Sequence, residues 1–299
     1  SGLRIATSAG TTDQLSQYGI TWTFAEPVEF GQFVNGDYWV VGPVEVASVS
    51  PAPTMINGNY VHGSMVNPRL GSQAYDSRTQ YYGSPYDHGA RVTFPLVLDA
   101  RSSLVSTISR EVAADQIRPA LQTAAVLTVL SATPPEGSFR PGLIGDQKKL
   151  FSANGIRWER LPNLAPTSSA PPNLEHFEER LQGPWLLHNG SWTSRHISPT
   201  DNMPSYHQDI ALLLSHAAVA IITDVGTDRS AAVINFIQVA IDYYSMQQSG
   251  SNGRYNYRWP IIFAGIMLDD DDMRYMWRDG NFGTPAYQDD KIYKWGEHT

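Results

Sequence analysis

The 299 residues include no cysteine. Disulfides, thiolate metal sites and a cysteine nucleophile are therefore excluded, while the compartment stays open. Lysine is scarce, with four residues against seventeen arginines. Long apolar runs are missing too. The most apolar stretch, IALLLSHAAVAIIT at 210–223, holds a histidine and falls short of the roughly 20 residues that span a bilayer, so no membrane span is expected. Positive charge is not in excess: the formal net charge is -8, which opposes the sequence-independent attraction that nucleic acid binding needs. No GxSxG elbow, no GxxxxGK[ST] loop and no GxGxxG after a strand occurs, which removes the α/β-hydrolase, P-loop and dinucleotide classes. The opening SGLRIATSAGTT has no charged segment followed by an apolar core. We read a leader as already removed, and expect the protein to be secreted or at the cell surface, with the periplasm as a further location.

Tyrosine, tryptophan, glycine and proline are plentiful, and they divide the chain. From Ile20 to about Ala132 short runs rich in β-branched and aromatic residues alternate with Gly, Pro and Asn: ITWTF, YWVVGPVEVASV, NYVHGSMV, RVTFPLVL, SLVSTIS and AAVLTVLSA. Close-spaced short strands of this kind predict an antiparallel β-sandwich-like domain over 1–132. NGD at 35–37 and NGN at 57–59 read as hairpin turns, and Pro95 confines its strand to an edge or a bulge. The segment SREVAADQIRPALQ can start as a helix that Pro119 breaks. Residues 133–173 are dense in proline and read as a linker that wraps from one part to the next.

Beyond it the period changes to 3.6. Asn173 is placed to cap a helix through LEHFEERL. Pro204 opens one with Tyr206, Ile210, Leu213, Leu214, Ala217 and Ile221 on one face, Asp228 starts a third, and WPIIFAGIMLDDDDMRYMW forms a fourth. The second is apolar on most sides and is expected to be buried nearly all round. These features predict an α+β multidomain chain whose residues 174–299 form an α/α helical domain. A closed toroid of helix pairs needs more helix than this stretch provides, at about 11 to 12 residues per helix. The expectation is therefore an incomplete toroid, a helical part completed by something else such as a second chain or subunit, or a piece of a longer protein, the last being preferred.

The densest polar segment is HNGSWTSRHISPTDNMPSYHQD at 188–209. Removing a proton beside a uronate carboxyl group needs an acid/base pair and groups that neutralise the carboxylate. Tyr206 or His207 has the chemistry for the first role, and Arg195 with Asn202 for the second. Hydrolysis of a glycosidic bond would instead use two carboxylates, Asp201 and Asp209. Trp192 and His188 are candidate sugar contacts in the same segment. A second cluster, QQSGSNGRYNYRWP at 247–260, offers Arg254, Tyr257 and Arg258 as a carboxylate and sugar platform. The same residues also serve structure: Asp201 as a helix cap, Asn202 in a turn, Tyr206 in a core. Asp269 to Asp272 lack the alternation and central glycine of a calcium loop and read as a solvated helix end. The histidines show no zinc-ligand spacing, so no metal and no cofactor is expected. In the β part, Trp22, Tyr38, Trp39, Tyr60, His62, Tyr75, Arg78, Tyr81, Tyr82, Tyr86, Asp87 and His88 are either sugar-stacking or edge-covering residues.

Taken together, the stretches GQFVNGDYWVVGPVEV, VHGSMVNPR, SLVSTISR, LQTAAVLTVL, LPNLAP, DNMPSYHQDIA and RWPIIFAGIMLDD resemble a group of uncharacterised exported bacterial proteins. In these a β-sandwich precedes an α/α-toroid domain like that of polysaccharide lyases and some glycoside hydrolases. The resemblance implies polysaccharide degradation, with a polysaccharide or oligosaccharide bound near DNMPSYHQD and GRYNYRWP. It also implies that the chain continues past KWGEH. It carries over no catalytic residue, because the motifs of the well-studied lyases do not align here. The rival class is a glycan-binding, surface or assembly protein without catalysis.

Overall fold

The computed structural model describes residues 8–69, 72–79, 86–111, 121–166, 173–185, 206–249 and 258–276. Strands occupy the N-terminal part and helices the C-terminal part, as the two periodicities predict. Strand β1 (Ser8–Gln17) was not anticipated, since its sequence is polar and, of its residues 10–17, Leu15 alone is buried. It turns into β2 (Ile20–Gln32) through Tyr18 and Gly19, both at positive φ (51° and 80°), the backbone of a two-residue hairpin. The NGD turn then sends β2 back: Phe33 N–H donates to Asp37 O at 2.9 Å, and Gly36 sits at φ 88°.

The returning strand is long but interrupted. Its first piece, β3 (Tyr38–Val41), pairs with the end of β2, and its second, β4 (Val44–Ser50), pairs with the beginning of β2. At the break Gly42 N–H donates to Leu130 O at 2.8 Å, and a Cβ on Gly42 would stand 2.2 Å from Val129 Cγ1. Only glycine lets the crossing strand approach so closely. The two pieces acquire different outer neighbours. β10 (Leu121–Leu130) runs parallel to β3, and β8 (Leu96–Leu98) runs antiparallel to β4 at the end of the sheet, as Pro95 predicts. β9 (Ser102–Ser109) and β7 (Ser64–Val66) complete the eight-stranded sheet. β5 (Thr54–Ile56) and β6 (Asn59–Val61) form a separate ribbon about the NGN turn, with Asn57 and Gly58 at positive φ.

Where a sandwich of two facing antiparallel sheets was expected, the strands form one curled, mixed sheet, a half-barrel. The rolling brings Trp22 of β2 across to β9, where its indole N–H donates to Ser106 Oγ at 3.1 Å. The concave face is filled by the sheet's own side chains, among them Ile20, Trp22, Phe24, Val40, Val46, Leu104, Leu127 and Val129. Alternate residues of β9 and β10, namely Val105, Ala124 and Val126, point the other way and join the core of the helices. β10 is thus apolar on both faces, which explains its unbroken run AAVL; two-sided burial replaces the usual alternation.

The helices are α1 (Leu174–Arg180), α2 (Tyr206–Ile222), α3 (Ser230–Gln248), α4 (Arg258–Met267) and α5 (Asp271–Arg274). Asn173 caps α1 as predicted, its Oδ1 accepting from His176 N–H at 3.3 Å, and Asp228 Oδ1 accepts from Ser230 N–H at 2.9 Å just ahead of α3. The last predicted helix is broken between α4 and α5, where Asp270, read as part of a helix end, instead caps α5 by accepting from Met273 N–H at 2.9 Å. α3 is the central element, with every residue from Ala232 to Gln247 buried. α2 is not enclosed all round: Leu212 and Val219, seven residues apart, are exposed on one face, 56% and 54%. Its apolar face serves α3 and the shared core, and its opposite face has none of the described elements over it.

Residues 133–166, the described part of the proline-rich stretch, pack between sheet and helices. Phe139, Leu143, Phe151 and Ile156 are buried in the cluster that α3 occupies, and a Cβ on Gly142 would meet Ser245 Cβ at 2.3 Å. Proline fixes the path without α-helix or strand, so two single 3-10 turns, Ala153–Gly155 and Trp158–Arg160, apolar side chains and backbone pairs such as Phe139 N–H to Phe151 O at 2.8 Å hold it.

Candidate functional site

Three groupings of polar and aromatic side chains stand out among the described residues. The first is fully buried. Arg140, in the proline-rich stretch, donates Nε to Asp37 Oδ2 of the β2–β3 turn at 2.5 Å, and Nη1 and Nη2 to the two oxygens of Asp242 on α3, each at 2.8 Å. All three side chains have no exposure. Gln238 fixes the Arg140 backbone from both sides, and Trp185 N–H donates to Asp242 Oδ2 at 3.0 Å. Burial pushes the Asp242 carboxyl up, and Arg140 opposes it. The guanidinium is driven down by burial but held well above its ordinary range by Asp242 and then Asp37. Beside this node Lys148 donates Nζ to Gly142 O and Leu143 O at 3.1 and 3.2 Å, and burial, followed by the charge of Arg140, lowers its pKa to about 7. The arrangement ties sheet, connecting stretch and helix together. Sequence reading missed it, since nothing local marks Arg140.

The second grouping concerns the helix ends. Arg157 N–H donates to Met267 O and Arg160 Nη1 to Ile266 O, while Leu164 N–H donates to Ile222 O. Arg229 Nη1 bridges Pro162 O and Ile221 O. One short segment, 157–164, thereby gathers the C-terminal ends of α2 and α4 and the start of α3. α4 lies against α3, with Phe236 and Phe263 edge to face at 5.4 Å. Of the residues singled out for chemistry, Tyr206 and His207 form the first turn of α2 and Arg258 the first residue of α4, half-buried with partners of its own. His188, Trp192, Arg195, Asp201, Asn202, Arg254 and Tyr257 lie outside the described residues. The acids at 269–272 are partnered. Asp269 accepts from Arg160 and Arg274 at 2.6 and 2.7 Å and from Arg157 at 3.1 Å, which hold its carboxyl well below the usual range. Lys149 donates to Asp270 at 2.7 Å.

The third grouping belongs to the ribbon. Tyr60 on β6 lies parallel to Tyr86 with ring centroids 6.1 Å apart, and His88 stands edge-on to both, 4.9 Å from Tyr86. Tyr86 is buried, donates to Ala74 O at 3.2 Å and has its phenol pushed up to about 12, burial being the main cause. The Arg91 guanidinium lies over the Tyr60 ring, 3.8 Å from its centroid. Trp22, Trp39 and Tyr75 are core residues, each at most 2% exposed, and stack on nothing outside. His62 exchanges hydrogen bonds with Ser109, its Nδ1 accepting the Ser109 N–H at 3.1 Å, and burial lowers its pKa. Arg91 was not foreseen; its one sequence signal is a cationic residue directly after the tyrosine-rich loop. Compared with protein-family models, with curated proteins and with solved structures, the chain gives no match.

Proposed function

We propose that this chain is a secreted or cell-surface carbohydrate-active protein, a polysaccharide lyase or hydrolase. It works where the polar segments 188–209 and 247–260 lead into α2 and α4. The observation that carries this reading is the pinning of α2 and α4 by one segment at their C-terminal ends. It leaves both polar segments to enter the helices at the far ends, each at a first turn bearing a candidate residue, Tyr206 or Arg258. In this reading the helices belong to a toroid-like layer. Tyr206 or His207 moves the proton, Arg195 and Asn202 neutralise the uronate carboxyl, and Trp192, His188, Arg254, Tyr257 and Arg258 hold the chain of sugars. Hydrolysis would use Asp201 with Asp209.

The test is incubation with a panel of uronate-containing polysaccharides, read both as absorbance of a new unsaturated sugar and as new reducing ends. Lyase chemistry raises both signals and hydrolysis only the second. Removing the proton-moving group in Y206F or H207A is expected to lower turnover by about 10²- to 10⁴-fold. No product on any polymer sinks the enzymatic reading. The second reading, a glycan-binding protein without catalysis, draws on the aromatic and cationic grouping at Tyr60 and Arg91. It predicts retention on a polysaccharide column with no product formed.

A further inference from the structure

Beside the ribbon a groove of about 360 Å³ opens between the end of β4 and the segment that precedes β8, lined by Val49, Pro53, Tyr60, Arg91, Val92 and Phe94. Its volume lies within the range of small-ligand sites. We infer that this groove is a binding site for an acidic sugar ring, a hexuronate unit of a polysaccharide, apart from the helix-end centre proposed above.

The first argument is a cation without a carboxylate beside it. The described residues form several ion pairs, and Arg91 takes part in none of them. Its Nη1 is buried and has no hydrogen-bond partner among the described residues. The partly exposed guanidinium is hydrogen-bonded to Tyr60, a neutral partner that leaves its charge unmatched, and a carboxylate is the acceptor whose two oxygens suit the planar guanidinium fork. In a chain of net charge -8 a cation outside the ion pairs favours negative charge in its own neighbourhood. The second argument is rigidity. Tyr60 N–H donates to Ser77 Oγ at 2.8 Å, and its ring is backed by Tyr86 and His88. The guanidinium therefore rests on a fixed aromatic face rather than on a mobile one. The third is the mixed lining: Phe94, Val92 and Val49 suit the C–H face of a pyranose, and Ser48 and Thr93, also on the wall, offer hydroxyls to its oxygens. The demand for a carboxylate stands on the groove alone, whereas the choice of a sugar among carboxylated rings rests on the function proposed above.

Calorimetric titration of the whole chain with a uronate trisaccharide, its neutral counterpart and benzoate tests the inference, alongside R91Q and R91K. The expected result is that the uronate binds the parent protein, the neutral sugar and benzoate do not, and R91Q weakens binding at least about tenfold, or ~1.4 kcal/mol. R91K, which keeps charge without the fork, should fall between, and unchanged melting of either variant shows that the fold is intact. Equal affinity of R91Q, equal affinity for the neutral sugar, or binding of benzoate alone overturns the inference. Turnover on the polymer is read separately. A protein that binds uronate through Arg91 but forms no product loses the enzymatic reading and keeps the groove, and one that cleaves while R91Q binds normally does the reverse.

Discussion

Arg140 is the side chain on which most depends. Its two carboxylate partners are 103 and 102 residues away in the sequence, so no local pattern around SFRPG reveals its role. The pairing emerges only when β2–β3, the proline-rich stretch and α3 converge. Replacing Arg140 by Met would leave Asp37 and Asp242 buried without a cation, and we expect a loss of about 3 to 5 kcal/mol in chemical denaturation. A loss below ~1 kcal/mol would show that water reaches the pair. Lys148 provides a pH signature. Its folded pKa of about 7, against an ordinary 10.5, means that the folded chain binds fewer protons than the unfolded one between these values. Stability therefore rises with pH across that window and is lost as pH falls through about 7. The buried phenols act in the opposite sense. Tyr86 and Tyr244, raised from 10.0 to about 12, contribute stability that is present below pH 10.0 and lost as pH rises towards about 12. Melting temperature against pH should climb from 7, turn over near 10, and lose its climbing limb in K148M.

Among the elements, the interrupted strand at Gly42 does most to shape the sheet. A methyl group there collides with Val129 Cγ1, so G42A should cost about 1 to 3 kcal/mol. Adding V129A should recover part of it; purely additive losses in the double mutant would mean that the close approach is not the reason for glycine. Hairpin turns and β-branched runs were legible because their causes are local: NGD, NGN and Pro95 each act within a few residues. β1 was not, because its stability comes from pairing with β2, and of residues 10–17 only Leu15 is buried. The half-barrel was illegible for a related reason. Its curl depends on Val129 passing Gly42, and on Trp22 reaching Ser106 across 84 residues of sequence. Helix starts were readable from Asn173 and Asp228. The burial nearly all round expected for α2 was too broad, since apolar composition alone does not say whether a second face, here Leu212 and Val219, is covered. Of the candidate site the described residues include only the helix positions of Tyr206, His207, Asp209 and Arg258, and the Tyr60 and Arg91 pair depends on a ribbon whose placement only the fold defines.

At the level of the whole molecule, the outer face of β9 and β10 shares one apolar cluster with α3 and with Phe139 and Phe151. Sheet and helices are therefore expected to unfold together. Far- and near-ultraviolet circular dichroism should give a single coincident transition, and two separated transitions would contradict the energetic importance of that shared cluster. A fragment ending at residue 132 should expose Val105, Ala124 and Val126 and associate or fail to fold, which light scattering would detect. No helix among the described residues is long and apolar enough to cross a membrane.

The triad of Asp37, Arg140 and Asp242 has one more consequence, and it lies in inheritance rather than in chemistry. A carboxylate without the guanidinium is a liability in that place, and so is the guanidinium without its carboxylates, so each single exchange is selected against until the others have occurred. Among descendants of this sequence, positions 37, 140 and 242 should stay fixed as a set or be replaced as a set by apolar residues, and lineages carrying only one of the three changes should be rare.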